Sequence, residues 1–169
     1  MEARVLEKIC LDQEARFPPD FVKNPTPEIC LEEVTRNGLL LKHVEDQTPE
    51  ICLAAVKQNG WALEYVKHKT CEICLEAVRQ NNLSLRFVDN QTADMCLEAV
   101  KQNGWALFCI KHQTAEICLA AVRQDGLVLG HVKHQTPEIC LAAVQQTHRA
   151  LSLIKSDACL RYLTKITNP

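Results

Sequence analysis

From Thr26 onward, apolar and polar positions recur every 22 residues without an insertion or a deletion. Thr stands at 26, 48, 70, 92, 114 and 136, with Cys four residues later at 30, 52, 74, 96, 118 and 140. Within each unit the phase is helical. At about 100° per residue, Ile51, Cys52, Leu53, Ala55 and Val56 cover an apolar arc of roughly 200°. An arc this wide needs more than one neighbour to bury it. Glu50, Ala54 and Lys57 take the remaining face, where charge pairs such as Glu76 with Arg79 and Glu98 with Lys101 are expected. A second short helix is predicted from about Trp61 to Lys67, with Ala62, Leu63 and Val66 turned inward. The pattern therefore predicts an all-α, helical-hairpin repeat solenoid of about six units, each burying its apolar face on the next. A leucine-rich repeat has a similar period but requires an alternating L-x-L strand and an Asn ladder. This chain has Gln58 after Val56-Lys57, and Pro introducing a helix-period run.

The boundaries of the first helix are marked by residue chemistry. The Thr hydroxyl is placed to accept a hydrogen bond from an orphaned backbone N–H. Pro27, Pro49 and Pro137 follow at the first helical position, where a missing N–H costs nothing. Glu28, Glu50, Glu72, Asp94, Glu116 and Glu138 then put negative charge beside the positive end of the helix dipole. Gly38, Gly60, Gly104 and Gly126 read as left-handed caps closing that helix, with Asn82 in their place in the third copy. Residues 1–25 and 158–169 are degenerate copies that read as terminal caps. The expectation is one domain over 1–169, with six repeats in 26–157.

Composition adds a compartment and removes some functions. No run of 18 apolar residues occurs, so no membrane-spanning segment is expected, and the charged N-terminus lacks the apolar stretch of a signal peptide. Ten cysteines could mean disulfides. Equivalent cysteines in stacked helices, however, should lie ~9–10 Å apart, beyond the roughly 7 Å Cα limit for a bridge. They read instead as small buried hydrophobes, with all ten thiols free and a cytoplasmic location, in the producing cell or in a host. The net charge of −2 gives no bias toward nucleic acid or an anionic membrane.

The run Cys-Leu-Ala-Ala-Val-Lys-Gln-Asn-Gly-Trp-Ala-Leu-Glu-Tyr-Val at 52–66 resembles a helical repeat family that is a domain of unknown function. The likeness extends over 26–157, because the Val-Lys-Gln-Asn-Gly core recurs in register. Such repeats occur in intracellular bacteria, phages and large viruses, which implies an interaction role. The family has no catalytic residues to carry over. The first repeat departs from the pattern at Glu33 and Thr35-Arg36, and the sixth at Thr147-His148-Arg149.

Candidate chemistry is sparse. Cys71-Glu72-Ile73-Cys74 spells C-x-x-C, a redox or zinc motif elsewhere, but no second pair stands at ligand spacing. His131-x-x-His134 and Cys109-x-x-His112 have i,i+3 spacing, yet helix ends in a solenoid point along a row instead of into one cavity. No nucleophile–base arrangement, phosphate loop or paired carboxylates occur, so neither an enzyme nor a cofactor or metal is expected. The variable slots carry more information. The second-helix edge and its neighbouring slot place Lys42, His43, Trp61, Glu64, Tyr65, Arg86, Phe87, Trp105, Phe108 and His131 along one strip. Five of the eight aromatics lie there, in the middle three repeats. Trp61 and Trp105 alternate with leucines, which also fits packing between repeats. A constant core with varied surface slots makes long binding faces, and aromatics with Arg are common interface anchors. The expectation is a non-enzymatic protein-binding scaffold, an effector or inhibitor covering a partner's surface. The alternative is nucleic-acid binding along a basic edge of Lys67, His68, Lys111, His112, Lys133 and His134.

Overall fold

The computed structural model describes residues 26–167. Every regular element in that range is helical, and two kinds alternate. The α-helices are α1 (Pro27–Arg36), α2 (Pro49–Gln58), α3 (Cys71–Gln80), α4 (Ala93–Gln102), α5 (Ala115–Gln124), α6 (Pro137–Gln146) and α7 (Asp157–Thr167). Between them lie six-residue 3₁₀ helices, η1 (Gly38–His43), η2 (Gly60–Tyr65), η3 (Asn82–Phe87), η4 (Gly104–Cys109), η5 (Gly126–His131) and η6 (His148–Leu153). Each α-helix packs on the α-helices before and after it, and each 3₁₀ helix on its neighbouring 3₁₀ helices, with no contact skipping a repeat. The helical repeat solenoid is as expected. The predicted N-terminal cap, 1–25, and Cys10 within it lie outside the described residues.

The Thr caps form as predicted: the Oγ1 atoms of Thr48, Thr70, Thr92 and Thr114 each accept from the backbone N–H three residues on, at 3.3 Å. The glycine caps do not. No described glycine has a positive φ. The α-helix closes at Asn, whose N–H donates to the carbonyl of Ala55 at 2.9 Å in the case of Asn59. The Asn59 side chain then accepts from Trp61 N–H at 3.0 Å and opens the 3₁₀ helix. One residue thus ends one helix and starts the next, with Asp125 doing the same in the fifth repeat. Thr147 takes this slot in the sixth and makes no side-chain cap. Close approach favours glycine at this slot, although Asn82 and His148 hold it in the third and sixth repeats. A Cβ on Gly60 would lie 2.6 Å from the Ala77 carbonyl oxygen, and one on Gly104 2.6 Å from that of Ala121.

The second helix is shorter and tighter than expected, ending at Tyr65 instead of Lys67. Val66 is extended, with its N–H on the Leu63 carbonyl. The inward set is nonetheless as predicted, with Ala62, Leu63 and Val66 buried, together with Ile51, Cys52, Ala55 and Val56 of α2. Leu53 and its equivalents are only partly buried. The Glu76–Arg79 pair forms at 3.8 Å, whereas Glu98 accepts from Gln102 at 3.5 Å. The nine described cysteines are free.

Two glutamine ladders tie the units together. Gln58, Gln80 and Gln146 accept from the N–H of Gly38, Gly60 and Gly126 in the preceding repeat, at 2.7, 2.7 and 2.8 Å. Gln47, Gln91, Gln113 and Gln135 sit in the loop before each Thr and clamp the following loop. Gln91, for example, donates to the carbonyls of Leu85 (3.0 Å) and Cys109 (2.7 Å) and accepts from Lys111 N–H (2.9 Å). The equivalent slot at the end of the second repeat holds Lys69.

Candidate functional site

The 3₁₀ geometry organises the variable strip. With three residues per turn, side chains at i and i+3 eclipse one another, so Trp105 and Phe108 stand in one row. Their rings stack at 5.6 Å between centroids, 14° from parallel. His131 of the next repeat closes the group, 4.0 Å from Phe108 and 5.6 Å from Trp105. The Trp105 indole N–H donates to Asp125 Oδ2 at 2.8 Å, which fixes the ring's orientation. Phe108 is 59% exposed and Trp105 37%, the former being the most exposed large apolar side chain among the described residues. Beside this group lies a hollow of about 550 Å³ lined by Trp105, Leu127, Gly130, His131, Leu153 and Lys155. Gly130 leaves it open, since a Cβ there would meet nothing closer than Leu153 Cδ2 at 3.5 Å.

A second aromatic group lies two repeats earlier. Trp61 and Phe87 meet edge-to-face at 5.6 Å, and the Arg86 guanidinium lies 5.4 Å from the Phe87 ring and 5.9 Å from the Trp61 ring. Trp61 and Phe87 are half-buried, with Phe87 packed on the core, so this group also serves as packing between repeats. Tyr65 is half-buried against the core as well. Lys42, His43 and Glu64 are exposed toward the N-terminal end of the strip. The strip thus resolves into two clusters, of which the one on η4 and η5 is the more open.

The six basic-edge residues are all exposed, but their lysines already have intramolecular roles. Lys67 Nζ donates to the Glu45 carbonyl at 2.6 Å, Lys111 Nζ to those of Val88 and Asp89 at 3.1 and 3.0 Å, and Lys133 Nζ to that of Lys111 at 3.3 Å. The row is a second set of ties between loops.

The thiols differ sharply in setting. Burial pushes Cys52, Cys96 and Cys118 above their ordinary range. Burial first, then the neighbouring Cys159 thiol, pushes Cys140 up to about 12. Cys71 alone of the described cysteines is exposed. No group of three or more His, Cys, Asp or Glu side chains is placed to hold a metal among the described residues. No described helix is long and apolar enough to cross a membrane.

Residues 48–92 and 70–114 each match the family described as Domain of unknown function (DUF4116). The two matches overlap by one repeat. The repeat resemblance read from the sequence is to this family. Its matched span holds repeats two to four, including Trp61, Phe87, Trp105 and Phe108, and ends at the Thr that opens α5. No curated protein and no solved structure matches the chain.

The sequence missed two things. The loop glutamines recur in phase at 47, 91, 113 and 135, a signal that was present but has no single-helix meaning. The Trp105–Phe108 stack depends on an i,i+3 eclipse, which an α-helical reading of η4 does not place.

Proposed function

We propose that this chain is a non-enzymatic protein-binding repeat scaffold, acting in a cytoplasm as an effector or inhibitor that covers a partner's surface. The observation that carries this reading is Phe108. A large aromatic is held out in solvent by a stacked Trp105 and by His131, at a slot that holds Lys42, Glu64, Arg86 and Gly130 in other repeats. A core position does not tolerate both lysine and phenylalanine, so the repeat fold does not require the ring. Oriented aromatics beside an open hollow supply the central anchor of an interface, with the more polar neighbours Arg86, Lys42 and Glu64 as its rim. Nucleic-acid binding along the basic edge has less support, because the lysine ammoniums already cap carbonyls of the preceding loops.

The test is affinity capture with quantitative mass spectrometry, comparing the wild-type chain with Phe108→Ala and with Glu98→Ala on α4. A central anchor is worth about 2 kcal/mol or more, so Phe108→Ala should weaken a specific partner about 30-fold. Far-UV circular dichroism should be unchanged. A partner retained by Phe108→Ala and lost by Glu98→Ala would move the binding face to the α-helices and overturn the reading.

A further inference from the structure

The loop ladder has one gap, and a pair of thiols lies in it. At 47, 91, 113 and 135 a glutamine fills the space between successive loops. Between the second and third repeats Lys69 stands there, and no side chain bridges the Phe87 carbonyl and the Asp89 N–H as Gln91 bridges the carbonyl of Cys109 and the N–H of Lys111. The space is a cavity of about 410 Å³, lined by Lys67, His68, Lys69, Cys71, Cys74 and Asp89 among others. Cys71 is the first residue of α3, in a slot that holds Pro or Ala in every other repeat, and it is exposed. Cys74 is one turn further in and 4% exposed. Its counterparts Cys52 and Cys118 donate weakly to the clamp glutamines at 3.7 and 3.8 Å. Cys74 has no glutamine beside it, and it lines the cavity.

We propose that Cys71 and Cys74 form a thiol–disulfide exchange site for a low-molecular-weight disulfide, with Cys71 as the attacking thiol and Cys74 as the resolving one. Cys71, as its thiolate, attacks one sulfur of RSSR. A Cys71–S–S–R bond forms, the S–S bond of the reagent breaks, and RS⁻ leaves to become RSH. Cys74 then gives up its proton and attacks the Cys71 sulfur, forming the Cys71–Cys74 bond and releasing the second RSH. Two electrons pass from the protein thiols to the reagent. Lys69 on the lining, near Asp89, offers a cation to a carboxylate of a peptide-like disulfide such as glutathione disulfide.

Helix geometry permits the second step. In an α-helix the i,i+3 Cα separation is about 5 Å, inside the range a disulfide spans, while the Cβ atoms at ~5–6 Å must close by roughly 1 Å. The first turn is able to give, since Cys71 precedes the first residue whose N–H bonds back into α3. The turn is pinned by Ile73 N–H on Thr70 Oγ1 at 3.3 Å and Cys74 N–H on the Thr70 carbonyl at 3.0 Å. A bond that strains this turn is readily reduced again. Two thiols alone fall short of the three or four ligands of a zinc site, so the pair is assigned to exchange.

The test uses the whole chain in glutathione disulfide, quenched with acid, alkylated and mapped by peptide mass spectrometry. The wild type should accumulate the Cys71–Cys74 bond with no lasting adduct. Cys74→Ala should stop at one glutathionyl group on Cys71. Cys71→Ala, which installs the residue found at Ala93 and Ala115, should leave Cys74 reduced. Lys69→Gln rebuilds the clamp over Cys74 and should slow formation of the Cys71–Cys74 bond about tenfold or more, because exchange depends on access. A stable wild-type adduct on Cys71 with Cys74 reduced, an unreactive Cys71, or no effect of Lys69→Gln in a folded variant would each overturn the proposal.

Discussion

Gln91→Ala tests whether the loop ladder holds the repeats together. The Gln91 amide makes two donor bonds, to Leu85 and Cys109, and accepts one from Lys111 N–H. At about 1 kcal/mol net per bond, the three together contribute roughly 3 kcal/mol. Releasing the side chain returns about 1.5 kcal/mol of rotamer entropy. Gln91 is half-buried, so water reaches some of the groups it leaves behind. The expected loss is therefore about 1–2 kcal/mol. Urea unfolding followed by far-UV circular dichroism would measure it. Because a solenoid's stability is carried by nearest-neighbour interfaces, losing one seam should also broaden the transition as the two sides begin to unfold separately. Lys69→Gln is the mirror experiment and should raise stability by up to about 1 kcal/mol, one net hydrogen bond's worth. If Gln91→Ala shifts stability by less than about 0.5 kcal/mol, as an ordinary surface change does, the clamps are incidental and the ladder reasoning fails.

The other expectations concern individual slots. Ser84 Oγ is fully buried without a hydrogen-bond partner, where Ala62, Ala106 and Ala150 stand in other repeats, so Ser84→Ala should stabilise by about 1 kcal/mol in the same urea assay. Gly60→Ala drives a Cβ against the Ala77 carbonyl and should cost about 1–3 kcal/mol, whereas Gly130→Ala meets only Leu153 at ordinary contact distance and should be neutral or gain about 0.4–1 kcal/mol. Thermal unfolding should also respond to alkali. Burial holds the buried thiols above their ordinary value in the folded chain, Cys140 up to about 12, so their contribution is present below the unfolded value of 9.0. The unfolded chain loses its thiol protons first as pH rises, and Tm should fall from about pH 9 upward; a flat profile there would contradict the burial.

The repeat, its helical phase and its inward residues were all legible in the sequence, because they rest on short-range rules. Thr48 caps the helix it precedes, Pro49 starts it, and Ile51, Cys52, Ala55 and Val56 share a face whatever they pack against. What the neighbouring unit contributes was not legible. Gly60 looks like a left-handed cap when its own helix is considered alone, and only the Ala77 carbonyl of the next repeat gives its true reason. Gln91 acts mainly beyond its own unit, since two of its three bonds cross to residues 18 and 20 positions away. The aromatic strip lies between these cases. Its residue types were visible at once, but the stack of Trp105 on Phe108 and its closure by His131 depend on a 3₁₀ turn and on the step between repeats. In a solenoid the period is written locally, while close approach, loop clamps and the exposed face are set where one unit meets the next.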